Sequence, residues 1–212
     1  MTVITIARQL GASGEAVANR LAEALGWRLL DRALVERIAD ELEVAPEQVA
    51  ACDERVENFV ERLGAYLSEG LPEMMPIPNV PPVSPESTAR AARRIVEAVA
   101  DEGPAVIVGH GAQCILQDHP DVMHVLAHAP FAHRVRRVAD HFHLDERAAT
   151  ERVRQSDADR RRYIKEHFSR DWLDPTLYHL AVDTGRFGVE GAAELIWEAA
   201  TRVFGVLPQV GR

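Results

Sequence analysis

The chain has 212 residues, 47% of them apolar, which is enough to bury one substantial core. Its net charge of −9 argues against a general nucleic-acid binder, because such proteins use excess positive charge to displace counterions from phosphates. No apolar run is long enough to span a bilayer, and the opening Met1-Thr2-Val3-Ile4-Thr5-Ile6 lacks the pattern of a secretory leader. One soluble, cytoplasmic domain without membrane or nucleic-acid partners is therefore expected. Cys52 and Cys114 lie far apart, so neither a disulfide framework nor a cysteine zinc site is indicated, and no metal-ligating cluster is assigned.

Thr2 to Ala7 is short, β-branched and apolar, as a central strand of a parallel sheet should be. Gly11-Ala12-Ser13-Gly14 breaks that pattern. From Glu15 the apolar positions Val17, Ala18, Leu21, Ala22 and Leu25 then recur at helical spacing up to Gly26. Trp27 to Leu30 reads as a second strand ending at Asp31, followed by a helix carrying Leu34, Val35, Ile38, Ala39 and Leu42. A further helical stretch with an acidic polar face runs from about Pro46 to Glu69. Gly70 to Pro85 is too rich in proline for regular structure.

Helix resumes over Ser87 to Glu102, and Gly103-Pro104 turns into the apolar strand Ala105 to Val108, which ends at Gly109-His110-Gly111 and feeds a short helix. Val122 to Ala127 is the fourth strand. Pro130 suits a helical first turn, and helical pattern dominates from there to about Ser169. Leu180 to Asp183 is the fifth strand, and Glu190 to Phe204 the closing helix. Strands alternating with helices predict an α/β fold, a five-stranded parallel sheet flanked by helices on both faces. Ligands of such sheets bind beyond the carboxyl ends of the strands. That rule directs attention to Arg8 to Gly14, Asp31-Arg32, Gly109 to Gly111, His128 and Asp183 to Arg186.

The charge is unevenly spread. Residues 1–100 carry 10 basic and 16 acidic side chains, whereas residues 133–170 carry 11 basic and 7 acidic ones. Lys165 is the sole lysine. The loop Gly11 to Gly14 has the setting of a phosphate-binding loop, between a buried strand and a helix whose free amides and dipole converge on an anion. The usual GxxxxGK[ST] pattern is nevertheless lost, since Gly14 and Glu15 stand where lysine and hydroxyl are expected. Any cation on the phosphates must be arginine, and Arg8 is nearest; its planar fork suits phosphate oxygens. The competing reading of Gly11 to Gly14 is a plain strand-to-helix turn.

Several segments together resemble the cytidylate kinase-like family: Ile4 to Gly14, Leu30-Asp31-Arg32, Val106 to Ala112, Asp157 to Tyr163, Asp171 to Tyr178, and Val182-Asp183-Thr184. That resemblance implies a P-loop nucleoside monophosphate kinase fold over the whole chain, with an acceptor-binding insertion at 31–88 and an arginine-rich lid at 144–168. It also implies a nucleotide donor site at the glycine loop and magnesium accompanying ATP. Two departures stand out: His110 occupies a position that is usually arginine and that contacts the acceptor in true cytidylate kinases, and Asp183 replaces a common asparagine.

The resulting site assignment has Arg8, Arg154, Arg160 and Arg161 as catalytic cations. Gly11, Ala12, Ser13, Gly14, Glu15, Asp183 and Thr184 form the nucleotide site, and Asp31, Arg32, His110 and Asp157 the acceptor site. Arg154, Asp157, Arg160 and Arg161 fall at spacings that let them share a helical face, which either closes on the donor phosphates or forms a solvated, salt-bridged surface. Asp31 either contacts an acceptor or caps the following helix, and Glu15 either replaces the magnesium-binding hydroxyl or complements the helix dipole. Asp183 and Thr184 either meet the donor base or make a turn. The expected function is a nucleotide-dependent phosphotransferase, using ATP and Mg2+ to phosphorylate a nucleoside monophosphate such as CMP. The alternatives are a kinase of a non-nucleotide small molecule and a catalytically silent nucleotide-binding regulatory protein. A homodimer is compatible with either.

Overall fold

A computed structural model describes residues 2–44 and 85–205. The expected helix at 46–69, the proline-rich stretch up to residue 84, Cys52 and most of the 31–88 insertion lie outside the described residues. In chain order the elements are β1 (Val3–Arg8), α1 (Gly14–Leu25), β2 (Arg28–Leu30), α2 (Arg32–Glu41), α3 (Pro85–Glu102), β3 (Ala105–Val108), α4 (Ala112–Ile115), β4 (Val122–His128), α5 (Phe131–Phe142), α6 (Glu146–Phe168), a single 3-10 turn (Pro175–Leu177), β5 (Leu180–Asp183) and α7 (Thr184–Phe204).

The five strands form one parallel sheet in the order β2-β3-β1-β4-β5. All six residues of β1 are buried because a strand hydrogen-bonded on both sides and covered on both faces meets no water, which explains why it is apolar but for Thr5 and Arg8. Its side chains alternate between two cores. Ile4 and Ile6 face α1 and α7 with Val106, Val125, Leu21 and Ile196. Val3 faces the opposite side with Ile107, Leu34, Ile38, Val96 and Val99 from α2 and α3. Thr5, on this second face, shares a 2.8 Å hydrogen bond with its register partner His124, whose ring stacks on that of His179.

The helical pattern between Pro130 and Ser169 proves to be two helices. His143 adopts a left-handed conformation (φ 52°) that ends α5, and Asp145 caps α6 by accepting from the Ala148 amide at 2.7 Å. Residues Leu10, Val135, Val138, Ala149 and Val153 pack the resulting hairpin against the loop after β1. The closing helix also starts earlier than its apolar pattern implies. Asp183 caps it from Thr184, and Gly188 (φ 69°) kinks it just before the expected start at Glu190.

Candidate functional site

The chain turns from one half of the sheet to the other between β1 and β4, so the residues following those strands line the crevice in which ligands of open α/β sheets bind. Arg8 ends β1 there and is 5% exposed. Gly11 has φ 78°, and a Cβ on it would lie 2.6 Å from the Arg134 carbonyl oxygen, so both backbone and space exclude a side chain. Gly14 opens α1, where a Cβ would lie 2.4 Å from the Arg8 Cβ. The stem of Arg8 therefore fills the space a lysine at 14 would need. The Arg8 stem and any side chain at position 14 thus exclude one another.

A cavity of about 210 Å³ opens over this loop. Its walls include Arg8, Gly11, Ser13, Gly14 and Glu15 from the loop, Arg137 and His141 from α5, and Arg160 from α6. Arg160 is 1% exposed, donates to Ser156 Oγ at 2.6 Å and lies 5.9 Å from the centre of the Trp172 ring, so its direction is fixed before any ligand arrives. Arg154 and Arg161 are exposed, Arg154 lying over Phe131; of the trio, Arg160 alone lines the cavity. Glu15 is half exposed, with a carboxylate oxygen 3.7 Å from Arg8.

Asp157 faces Arg134 in a two-pronged ion pair at 3.0 and 2.9 Å, and Arg134 also reaches the Leu10 carbonyl at 3.4 Å. Asp157 thus clamps α6 to α5 and both to the glycine loop. Asp183 accepts from the Gly185 and Arg186 amides at 2.9 and 3.2 Å, capping α7. Thr184 Oγ1 lies 2.6 Å from the Ala12 carbonyl and 3.1 Å from that of His128, so its proton ties the loop to the end of β4.

On the other flank, Gly109, His110 and Gly111 have φ of 74°, 55° and 69°, three consecutive left-handed residues at the end of β3, and His110 is 1% exposed. Asp31 precedes α2 without a side-chain capping bond, and Arg32 is the first residue of α2. Sequence reasoning missed Arg134, Arg137 and His141. Their spacing on α5, directly after β4, was the available signal: three, then four residues apart, on one face of the helix. A hollow of about 520 Å³ at the β4–β5 edge, lined by Leu126, Leu173, Pro175 and Ala181 among others, lacks arginines and does not compete as a phosphate site.

A parallel sheet in this order, with a glycine loop between its central strand and the following helix, is the fold of P-loop kinases. The chain belongs within that class to the cytidylate kinase-like family, which residues 3–186 match. It is 36% identical over 104 residues to the cytidylate kinase of Aeropyrum pernix, an alignment covering 49% of this chain and 60% of that enzyme. Among solved structures it resembles an uncharacterized protein from Eubacterium ventriosum, with a TM-score of 0.69, 19% identity, and coverage of 94% of this chain and 98% of that one. It also resembles the shikimate kinase of Acinetobacter baumannii in complex with shikimate, with a TM-score of 0.53, 13% identity, and coverage of 95% and 94%. Among the described residues no helix is long and apolar enough to cross a membrane.

Proposed function

We propose that the protein is a nucleotide-dependent phosphotransferase that moves the terminal phosphoryl group of ATP to a nucleoside monophosphate such as CMP. The observation that carries this reading is the packing of Arg8 over Gly14, which sets a strand-borne guanidinium beside the glycine loop in a cavity that Arg137 and Arg160 also line. Phosphoryl transfer asks the protein mainly to position the reactants and to neutralise the transferring oxygens. Here the free amides of the loop and of the first turn of α1 receive the phosphates. Arg8 and Arg160 add charge-assisted hydrogen bonds, and guanidinium stays protonated at every working pH. An acceptor oxygen attacks the terminal phosphorus while the bond to the ADP oxygen breaks, and the acceptor's proton leaves to solvent or product.

In this reading magnesium accompanies the triphosphate, and Glu15, the carboxylate that lines the loop cavity, is the residue available to it, since Mg2+ takes one or two carboxylates together with phosphate oxygens. Glu15 would hold the ion, which when bound shields the charge of the triphosphate. In the same reading the α5–α6 hairpin, spanning the proposed lid at 144–168, closes the donor site, and the 31–88 segment carries acceptor contacts. A non-nucleotide acceptor is the second reading, favoured by the burial of His110 at a position where a contacting arginine is the family habit.

Coupled ADP release with CMP, dCMP, UMP, AMP and shikimate tests both. Turnover with a monophosphate supports the first reading and turnover with shikimate alone the second. Nucleotide binding by calorimetry without ADP release from any acceptor overturns both in favour of a silent nucleotide-binding protein.

A further inference from the structure

The sheet β2-β3-β1-β4-β5 ends in two edges that the chain treats differently. At one, β2 is three residues long and begins with Arg28, which is paired with Glu102 at 2.6 Å while Arg37 lies 3.7 Å from the same carboxylate. A short edge fenced with charge resists pairing with another chain. At the other, Leu180-Ala181-Val182 of β5 carries no charge and no proline and keeps an unbroken register with β4; among the described residues no strand lies on its outer side. His179 donates its backbone N–H to the His124 carbonyl at 2.8 Å. Alternation along the strand then turns the backbone groups of Ala181 towards β4 as well, and those of Leu180 and Val182 outward. Ala181 is exposed and lines the hollow of about 520 Å³ together with Leu173, which is 41% exposed.

We propose that β5 is a dimerisation edge, at which two copies of the chain pair antiparallel about a two-fold axis through Ala181 and join their five-stranded sheets into one. Identical strands that pair antiparallel close on such an axis, and closure limits the assembly to two copies. In this register Leu180 of each copy stands opposite Val182 of the other, and each such pair exchanges two N–H···O bonds between the outward backbone groups. Ala181 meets Ala181 at a non-hydrogen-bonded pair, where strands approach to about 4.5 Å between Cα atoms and a small side chain fits. The ends of the pairing are complementary. His179 Nδ1 accepts from the His124 backbone N–H at 2.9 Å, so the neutral ring carries its proton on Nε2. The same register sets that ring opposite Asp183 of the second copy, whose Oδ1 is engaged with the Gly185 and Arg186 amides and whose Oδ2 accepts from it. Residues 179 and 181 line the hollow from the face they share with 183, so the two hollows meet at the axis and the second copy covers Leu173.

Sedimentation velocity of the full chain over a concentration series tests this, with twice the chain mass expected at the upper end. Ala181→Lys sets like charges directly opposite on the axis and should weaken association by about tenfold or more. Its circular dichroism spectrum should be unchanged, because the position is exposed. Ala181→Asp should do the same, and an equimolar mixture of the two variants should associate again. Under mild oxidation Ala181→Cys should give a covalent dimer, since its two Cα atoms fall within disulfide reach. Leu180→Cys should add no cross-link, because its two copies lie on the diagonal of the register, about 7–8 Å apart. A parent that stays monomeric throughout, a dimer indifferent to Ala181→Lys, or a mixture that stays apart would each overturn the proposal. Cross-linking through residue 180 in place of 181 would overturn it too.

Discussion

Gly14→Ala is the sharpest probe of the rebuilt phosphate loop. Gly14 needs no left-handed backbone, so alanine there meets a packing obstacle and no conformational one. The added methyl would lie 2.4 Å from the Arg8 Cβ, far inside van der Waals contact, and that Cβ is fixed to a strand paired on both sides. Overpacking of this kind costs about 1–3 kcal/mol, and Arg8 must shift to relieve it. A guanidinium moved off the phosphates forfeits a charge-assisted hydrogen bond of about 1.5–3 kcal/mol, or roughly 10- to 100-fold in nucleotide affinity. Urea denaturation and calorimetry of the four proteins in a cycle with Arg8→Gly isolate the contact. With the Arg8 Cβ gone, only the 3.3 Å approach to the Ala127 Cβ remains, so alanine at 14 should cost at least about 1 kcal/mol less than it does in the parent. A Gly14→Ala protein as stable and as avid as the parent, or strictly additive effects in the cycle, would refute the mutual exclusion of the Arg8 stem and a side chain at 14.

Arg160→Ala should weaken triphosphate binding by about tenfold or more, whereas Arg161→Ala, on the exposed side of α6, should have a smaller effect; calorimetry distinguishes them. Asp157→Ala leaves the buried Arg134 without its carboxylate and should cost about 2–4 kcal/mol in denaturant melts, discounted from a fully buried pair because Asp157 is 20% exposed. Burial, reinforced by the neighbouring His179, pushes His124 down to about 4 from an ordinary 6.5. The unfolded chain therefore binds a proton there that the folded one refuses. The stability held above pH 6.5 is lost as pH falls towards 4, about 2–3 kcal/mol by pH 4.5. His124→Gln should flatten that part of the stability profile, and an unchanged slope would contradict it.

The strands were legible because buried parallel strands are continuous β-branched runs, and Val3 to Arg8 and Ala105 to Val108 carry little else. The break at His143 was not, since it depends on one residue adopting a left-handed conformation and on Asp145 capping the next helix, neither of which disturbs the apolar rhythm. The glycine loop was visible as a candidate phosphate loop without the usual lysine. That the Arg8 stem excludes a side chain at 14 was not visible, because the close approach joins residues in different elements. Charge spacing marked Arg154, Asp157, Arg160 and Arg161 as one face. The bond to Ser156 and the tertiary contact with Trp172 hold Arg160 inward, whereas Arg154 and Arg161 stay exposed.

Phe168 and Arg160 lie on one uninterrupted helix, eight residues and therefore about 12 Å apart along its axis. One end of that interval meets the corner after β3 and the other the cavity over the glycine loop. The helix behaves as a ruler laid across the crevice, setting the distance between its two flanks independently of any loop. Inserting a single residue between the two positions would advance one mark by about 1.5 Å and turn it by about 100°, so no register could keep both contacts. The spacing of the flanks is written into the length of α6.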